Sequence, residues 1–135
     1  MATDQATRRL QDALVRVLES GRGAHELFTE DALFDLNVPS WRFQVRGSGQ
    51  FVDWWHREVH GRGRAAVTRS ADTVSGFVIE MAIEFRHLGQ DLYARQVMLA
   101  EITNDRISEL VVYCTGDWDA QTRARQVAEA PMIKG

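Results

Sequence analysis

The stretch GFVIEMAIEFRHLGQDLYARQVMLAEITNDRISELVVYCT, residues 76–115, decides the fold of this chain. Its first eleven residues alternate between two sets of side chains, and consecutive residues of an extended chain point to opposite faces. One set is apolar from Phe77 to Phe85, whereas the other contains Glu80 and Glu84. This alternation predicts a half-buried strand, and the connections HLGQD and TNDR predict two further strands. We therefore expect a three-stranded antiparallel meander.

Helical segments surround this meander. Leu10, Leu14, Val17 and Leu18 follow the i, i+4, i+7, i+8 spacing of an amphipathic helix over residues 4–20. The other predicted elements are a short helix within 23–31, a strand at 32–38 closed by Pro39, a short strand at 42–46, a helix over 49–60 capped by Ser48, a water-exposed loop over 60–69, and a terminal helix capped by Asp117 and stopped by Pro131. Helices combined with an antiparallel sheet make an α+β domain.

The bulk composition restricts the class of protein. The 135 residues are 44% apolar and 26% charged, with a net charge of −3, which predicts one globular domain over 1–135 with a core at about 5–130. This charge gives no reason to bind nucleic acid or an anionic membrane. A single cysteine excludes an internal disulfide and leaves a zinc site without a set of sulfur ligands, and we expect neither a metal site nor a cofactor. The N-terminal residues contain no long apolar run, so we expect a cytoplasmic protein without a signal peptide or membrane span.

Three motifs carry a resemblance to a known family. FTEDALFDLNVP at 28–39, NDRISELVVY at 104–113 and GDWD at 116–119 resemble the nuclear-transport-factor-2-like (NTF2-like) superfamily, specifically its SnoaL-like bacterial branch. The resemblance implies a cone-shaped α+β barrel, in which a curved antiparallel sheet wraps around the N-terminal helix and leaves an apolar pocket. It also implies a homodimer that pairs through the outer sheet face, since many relatives pair in this way.

The chemistry of two enzyme groups in this superfamily does not map onto the chain. The resemblance places the base, oxyanion carboxyl and tyrosine of ketosteroid isomerases, and the Asp-Arg-Asp centre of limonene epoxide hydrolases, on apolar residues. These positions are Leu36, Val97 and Leu14 for the isomerases, and Met81, Ile83 and Val112 for the hydrolases. Only the Asn-x-Pro segment of the hydrolases is matched, by Asn37 and Pro39.

The same matches predict which side chains line the pocket. The residues expected to face inward are Met81, Ile83, Tyr93, Arg95, Val97, Leu99, Glu101, Leu110, Val112 and Cys114. Ala94, Gln96, Met98 and Ala100 are then expected on the outer face. Trp41 and Trp54 are candidates for a pocket lid or a dimer contact. Such a lining suits a small hydrophobic or aromatic, polyketide-like ligand.

Three polar residues are candidates for catalysis. Asp35, with Asn37 two residues on, is either a general base in the pocket or a carboxylate on the opposite, wet face of its strand. His56 lies at the edge of a helix and is a candidate proton carrier. Arg95 is expected to stabilise a developing oxyanion, to hold a ligand carboxylate or to form a structural ion pair. The expected activity is cofactor-free proton transfer, namely cyclisation, isomerisation or dehydration; the alternatives are a non-catalytic ligand carrier or sensor and a dimeric protein-binding adaptor.

Overall fold

A computed structural model describes residues 5–59 and 63–134 of the chain, with only the backbone of residues 58 and 59. The helices are α1 (Gln5–Ser20), α2 (Ala24–Leu27), α3 (Ser48–Trp54), which continues into a π-helical turn (Trp55–Val59), and α4 (Ala120–Glu129). The strands are β1 (Phe28–Val38), β2 (Trp41–Arg46), β3 (Gly63–Asp72), β4 (Gly76–His87), β5 (Gln90–Thr103), β6 (Arg106–Cys114) and β7 (Trp118–Asp119). These elements confirm the predicted α+β class. Residue 4 of the first predicted helix and residue 60 of the third lie outside the described residues.

The strands form one curved, unclosed sheet in the order β2-β1-β6-β5-β4-β3, with β7 paired to the start of β5. The predicted meander is confirmed as β4, β5 and β6. The sheet is antiparallel apart from one pair of strands, because β1 and β6 run parallel. The N-terminal helix α1 lies against β3 and β4.

The sequence predicts a loop over residues 60–69, but residues 63–69 belong to the edge strand β3, and residues 60–62 lie outside the described residues. Strand β3 pairs along its length with β4 and contains a bulge between Val67 and Arg69. Most of its side chains are exposed, so it lacks the apolar alternation that identifies a half-buried strand. Its partner β4 specifies it instead: a side chain at Gly63 would collide with the carbonyl oxygen of Glu84 in β4, so only glycine fits where β3 begins.

The predicted phase of β5 is wrong. Ala94, Gln96, Met98 and Ala100 are buried, and the intervening residues face the other side of the sheet. Met98 lies between Ile79 of β4 and Val112 of β6, both of which are buried. Because the side-chain period of a strand is two, a one-residue error reverses the side of every residue. The buried, helix-covered side is called the inner face below, and the opposite side the outer face.

Aromatic rings pack between α3 and strand β1 on the inner face. Phe34 of β1 stacks on Phe51 of α3, with ring centroids 4.4 Å apart, and Phe28 meets Phe34 edge-on at 4.8 Å. Leu14 of α1 and Trp55 complete this cluster, and all five side chains are buried. Burial of such large side chains supplies much of the free energy of folding.

Two rings of the π-helical turn bind the carboxyl end of α1. The last carbonyl groups of a helix have no intrahelical donor and need one from elsewhere. The indole N–H of Trp55 donates to Leu18 O at 3.0 Å, and His56 Nε2 lies 3.2 Å from Val17 O. Gly21, with φ of 75°, also donates its N–H to Val17 O, as glycine does after many helices.

Two of the predicted helix caps are wrong by one or two residues. Ser48 is the buried first residue of α3, and Gly47, with φ of 91°, precedes it. At the terminal helix the cap is Asp119, whose carboxylate accepts the N–H of Thr122 at 2.7 Å, whereas Asp117 lies in the preceding loop.

The bond between Trp55 and Leu18 provides a test of this packing. We expect Trp55→Phe to lower the free energy of unfolding by about 2 kcal/mol, because a buried carbonyl group loses its donor. Trp54→Phe is the matched control, since Trp54 is only half-buried and packs against Phe43. We expect it to cost less than about 1 kcal/mol in urea unfolding. Equal losses would contradict the role of the indole N–H.

Candidate functional site

Asp35 lies on the outer face. Its neighbours Phe34 and Leu36 are fully buried on the inner face, so alternation directs the carboxylate away from the core. Arg42 binds it with both ends of its guanidinium group: Nε donates to Oδ1 at 2.9 Å and Nη2 to Oδ2 at 2.6 Å. These hydrogen bonds from Arg42 are the main reason that the pKa of Asp35 lies below its usual value.

Asn37 supports the same cluster. Its Nδ2 donates to Val112 O at 3.2 Å and lies 3.4 Å from Asp35 Oδ1. The hairpin between β1 and β2 brings these groups together, because Val38 pairs with Trp41 across a two-residue turn. Asn37 and Arg42 are therefore direct cross-strand partners. Trp41 follows the turn and is 69% exposed.

His56 belongs to the helical layer on the other side of the sheet. Its contact with Val17 O is one of those that end α1. The neighbouring Trp54 packs edge-on against Phe43 of β2, at 5.1 Å between ring centroids. Both residues thus hold the helices to one another and to the sheet.

Arg95 lies on the outer face within a row of polar side chains. Its Nη2 is 3.3 Å from Glu80 Oε1, and its Nη1 donates to Tyr93 Oη at 3.3 Å. The carboxylate of Glu80 also accepts the Thr68 hydroxyl at 2.8 Å, which is the main reason that its pKa is lowered. Arg95 is therefore part of a structural ion-pair network, one of the alternatives that the sequence left open.

The three predicted catalytic residues do not meet. Asp35 on β1 and Arg95 on β5 share the outer face but are separated by strand β6. His56 belongs to the helical layer on the opposite side. Within residues 5–59 and 63–134, no group of three His, Cys, Asp or Glu side chains is placed to hold a metal ion.

The predicted pocket residues divide between the two faces. Met81, Ile83, Leu110 and Val112 are buried on the inner face, with Cys114 half-buried at its end. Burial raises the pKa of the Cys114 thiol, which disfavours its reactive thiolate form. Contrary to prediction, the outer face carries Tyr93, Arg95, Val97, Leu99 and Glu101.

Sequence reasoning missed two polar residues on the buried side. Gln96 is 2% exposed on the inner face of β5, and Gln11 is 6% exposed on the buried side of α1. The Nε2 atom of Gln11 has no hydrogen-bond partner among the described residues. Gln11 follows the helical spacing of Leu14 and Leu18, a signal that was present in the sequence.

The outer face carries an apolar patch, which consists of Val78, Val97, Leu99, Val111 and Tyr113. Leu99 lies directly between Val78 and Val111, and Val97 is paired with Tyr113. Leu99 is 37% exposed and Tyr113 50% exposed. Charged side chains border this outer patch, including the Asp35–Arg42 pair and the directly opposed Glu101 and Glu109.

A groove of about 370 Å³ lies where α4 meets the start of β5. The guanidinium group of Arg123 lies 3.9 Å from the centroid of the Tyr93 ring, and Trp118 stacks near the same ring at 6.0 Å. No residue of α4 is buried, so these contacts and the Asp119 cap hold the helix in place.

Among the described residues, no helix is long and apolar enough to cross a membrane.

Comparison with known proteins places this arrangement among known folds. No protein-family model and no curated protein matches the sequence. Solved structures do match. An NTF2-like protein from Anabaena variabilis is 18% identical, with 87% of this chain and 96% of that chain covered and a TM-score of 0.70. A putative SnoaL-like polyketide cyclase from Shewanella putrefaciens is 16% identical (95% and 99% covered, TM-score 0.68), and a hypothetical protein with a ketosteroid isomerase-like fold from Catenulispora acidiphila is 14% identical (81% and 87% covered, TM-score 0.66). With an N-terminal helix against a curved, unclosed sheet, this chain has the fold of the NTF2-like proteins.

Proposed function

We propose that the chain is a non-catalytic protein that binds a small, largely apolar molecule between α1 and the inner face of the sheet. The observation that carries this proposal is the buried side-chain amide of Gln11, whose Nε2 lacks an acceptor among the described residues. An unpaired buried donor costs free energy, and a bound molecule with one acceptor oxygen would recover it. The surrounding inner face is otherwise mainly apolar, which suits an aromatic or polyketide-like body.

Flexible side chains on the inner face favour this site. Met81 and Met98 are both fully buried there, on adjacent strands. Methionine is unbranched and adapts its shape to a ligand more readily than leucine or phenylalanine. These core side chains can therefore rearrange around a small bound molecule. Similarity to SnoaL-like folds supports a pocket protein of this kind.

The placement of Asp35, His56 and Arg95 argues against proton-transfer catalysis by these residues. Each already makes a structural contact: Asp35 with Arg42, His56 with Val17, and Arg95 with Glu80 and Tyr93. A general base must reach the proton that it removes, and Asp35 is on the side of the sheet away from the inner face. A carrier or sensor therefore fits this geometry better than an enzyme that depends on them.

We further propose that the protein is a homodimer that pairs through the outer patch. Contiguous exposed apolar side chains on a soluble protein mark interaction surfaces. The patch lies at the middle of the sheet, and the charges at its border favour one orientation of a partner over others.

Ligand binding is tested with two aromatic molecules of similar shape. We expect 2-acetylnaphthalene, whose carbonyl oxygen accepts a hydrogen bond, to bind about fivefold more tightly than 2-ethylnaphthalene in calorimetric titrations. Gln11→Leu should remove this preference while leaving the folded protein at least as stable, because the unpaired amide is gone. Gln5→Leu at the exposed start of α1 is the control. If neither compound binds, or if Gln11→Leu keeps the preference, the proposal is wrong.

The role of Asp35 is tested by the pH dependence of stability. Its pKa in the folded state lies below the ordinary value of 3.8, so the interaction stabilises the protein above that pH. The stabilisation is lost as the pH falls below 3.8 through the folded-state pKa. We expect Asp35→Asn to be less stable than wild type at about pH 6 and to approach it in acid. Glu30→Gln, at an exposed site on the same strand, is the control and should be as stable as wild type at every pH. An Asp35→Asn protein as stable as wild type at pH 6 would refute the structural role of Asp35.

The dimer is tested by sedimentation equilibrium. We expect wild type to sediment as a dimer and Leu99→Arg as a monomer, because a charge at the centre of the outer patch must be desolvated in the interface. Val74→Arg is the control, since Val74 lies fully exposed in the turn before β4. A monomeric wild-type protein, or a dimeric Leu99→Arg variant, would exclude pairing through this patch.

A further inference from the structure

A second groove, unrelated to the inner face, lies between α1, α2 and the turn that joins β5 to β6. Its volume is about 440 Å³, which is within the range of small-molecule sites. Leu10 and Leu27 supply buried apolar surface, and the half-buried Ala13 lies beside them.

Charges of both signs border this apolar surface. Arg9 and Arg16 come from α1, whereas Glu26 comes from α2 and Asp105 from the β5–β6 turn. None of the four forms an ion pair with any residue in the part of the chain that the structure describes. The two arginines are seven residues apart, which corresponds to about 10 Å along the helix.

The backbone holds the acidic side of the groove in a defined position. Asn104 and Asp105 both have positive φ, at 53° and 64°, as required by the tight turn between paired antiparallel strands. Asparagine and aspartate are the non-glycine residues that best tolerate this conformation. Asp105 is therefore presented by a short hairpin turn, while α2 presents Glu26.

We propose that this groove binds a small zwitterion with an apolar body, of the size of a hydrophobic dipeptide. The ligand carboxylate pairs with Arg9 or Arg16, for which the guanidinium geometry is well suited. Its ammonium group pairs with Glu26 or Asp105, and its apolar side chains lie against the groove wall formed by Leu10, Ala13 and Leu27. A purely anionic or purely cationic ligand would meet like charge on one side of the groove, so only a ligand with both charges satisfies it.

The experiment compares three forms of one dipeptide by calorimetric titration of the whole chain. Free leucyl-phenylalanine carries both charges, N-acetyl-leucyl-phenylalanine lacks the ammonium group, and leucyl-phenylalanine amide lacks the carboxylate. We expect the free dipeptide to bind about tenfold more tightly than either capped form, because each cap removes one charge-assisted contact. Equal binding of the three forms, or no binding of the free form, would overturn the proposal.

Matched variants assign the two charges to their sides of the groove. The double variant Arg9→Gln/Arg16→Gln should weaken binding of the free dipeptide and remove its advantage over the amide. The double variant Glu26→Gln/Asp105→Asn, in which asparagine at position 105 still tolerates positive φ, should remove its advantage over the acetylated form. Arg8→Gln and Asp12→Asn are exposed changes on α1 outside the groove and should bind like wild type. If these controls weaken binding as much as the groove variants, the effect is one of net charge and the proposed site is wrong.

Discussion

The pairing of β5 between β4 and β6 is the constraint on which the rest of the molecule depends. It aligns Met98 with Ile79 and Val112, and so assigns one continuous apolar side of the sheet to the helices. A slip of one residue would expose this side and bury Arg95. Burying an unpaired guanidinium group costs far more free energy than leaving it paired with Glu80 on the outer face. The register shifted by one residue is therefore excluded.

The helical layer depends on a second constraint, the unsatisfied carbonyl groups at the end of α1. The turn that follows α3 is π-helical, and it is this turn that carries Trp55 and His56 to those carbonyl groups. π-Helical turns often mark functional sites, but here the observed contacts are structural. The histidine that suggested proton transfer in the sequence serves to join two helices.

Polar residues in this chain are sorted by the side of the sheet on which they lie. Asp35 and Arg95 face outward, where oppositely charged neighbours stabilise them, and Gln11 is among the few polar side chains buried with the core. Part of this arrangement was predictable. Two strands separated by Pro39 and Ser40 form a hairpin, and that hairpin brings Arg42 to Asp35. The buried amide of Gln11 also follows the helical spacing of α1.

The sequence by itself determined the α+β class and the elements whose side chains show a clear period, namely helix α1, strand β4 and the meander. Periodicity reports only which residues share a face, because it depends on local backbone geometry. Which face is buried depends on contacts between strands distant in sequence, so the tertiary structure decided the orientation of β5 and of Asp35. The same holds for β3, whose exposed side chains carry no local signal and whose place is specified by pairing with β4.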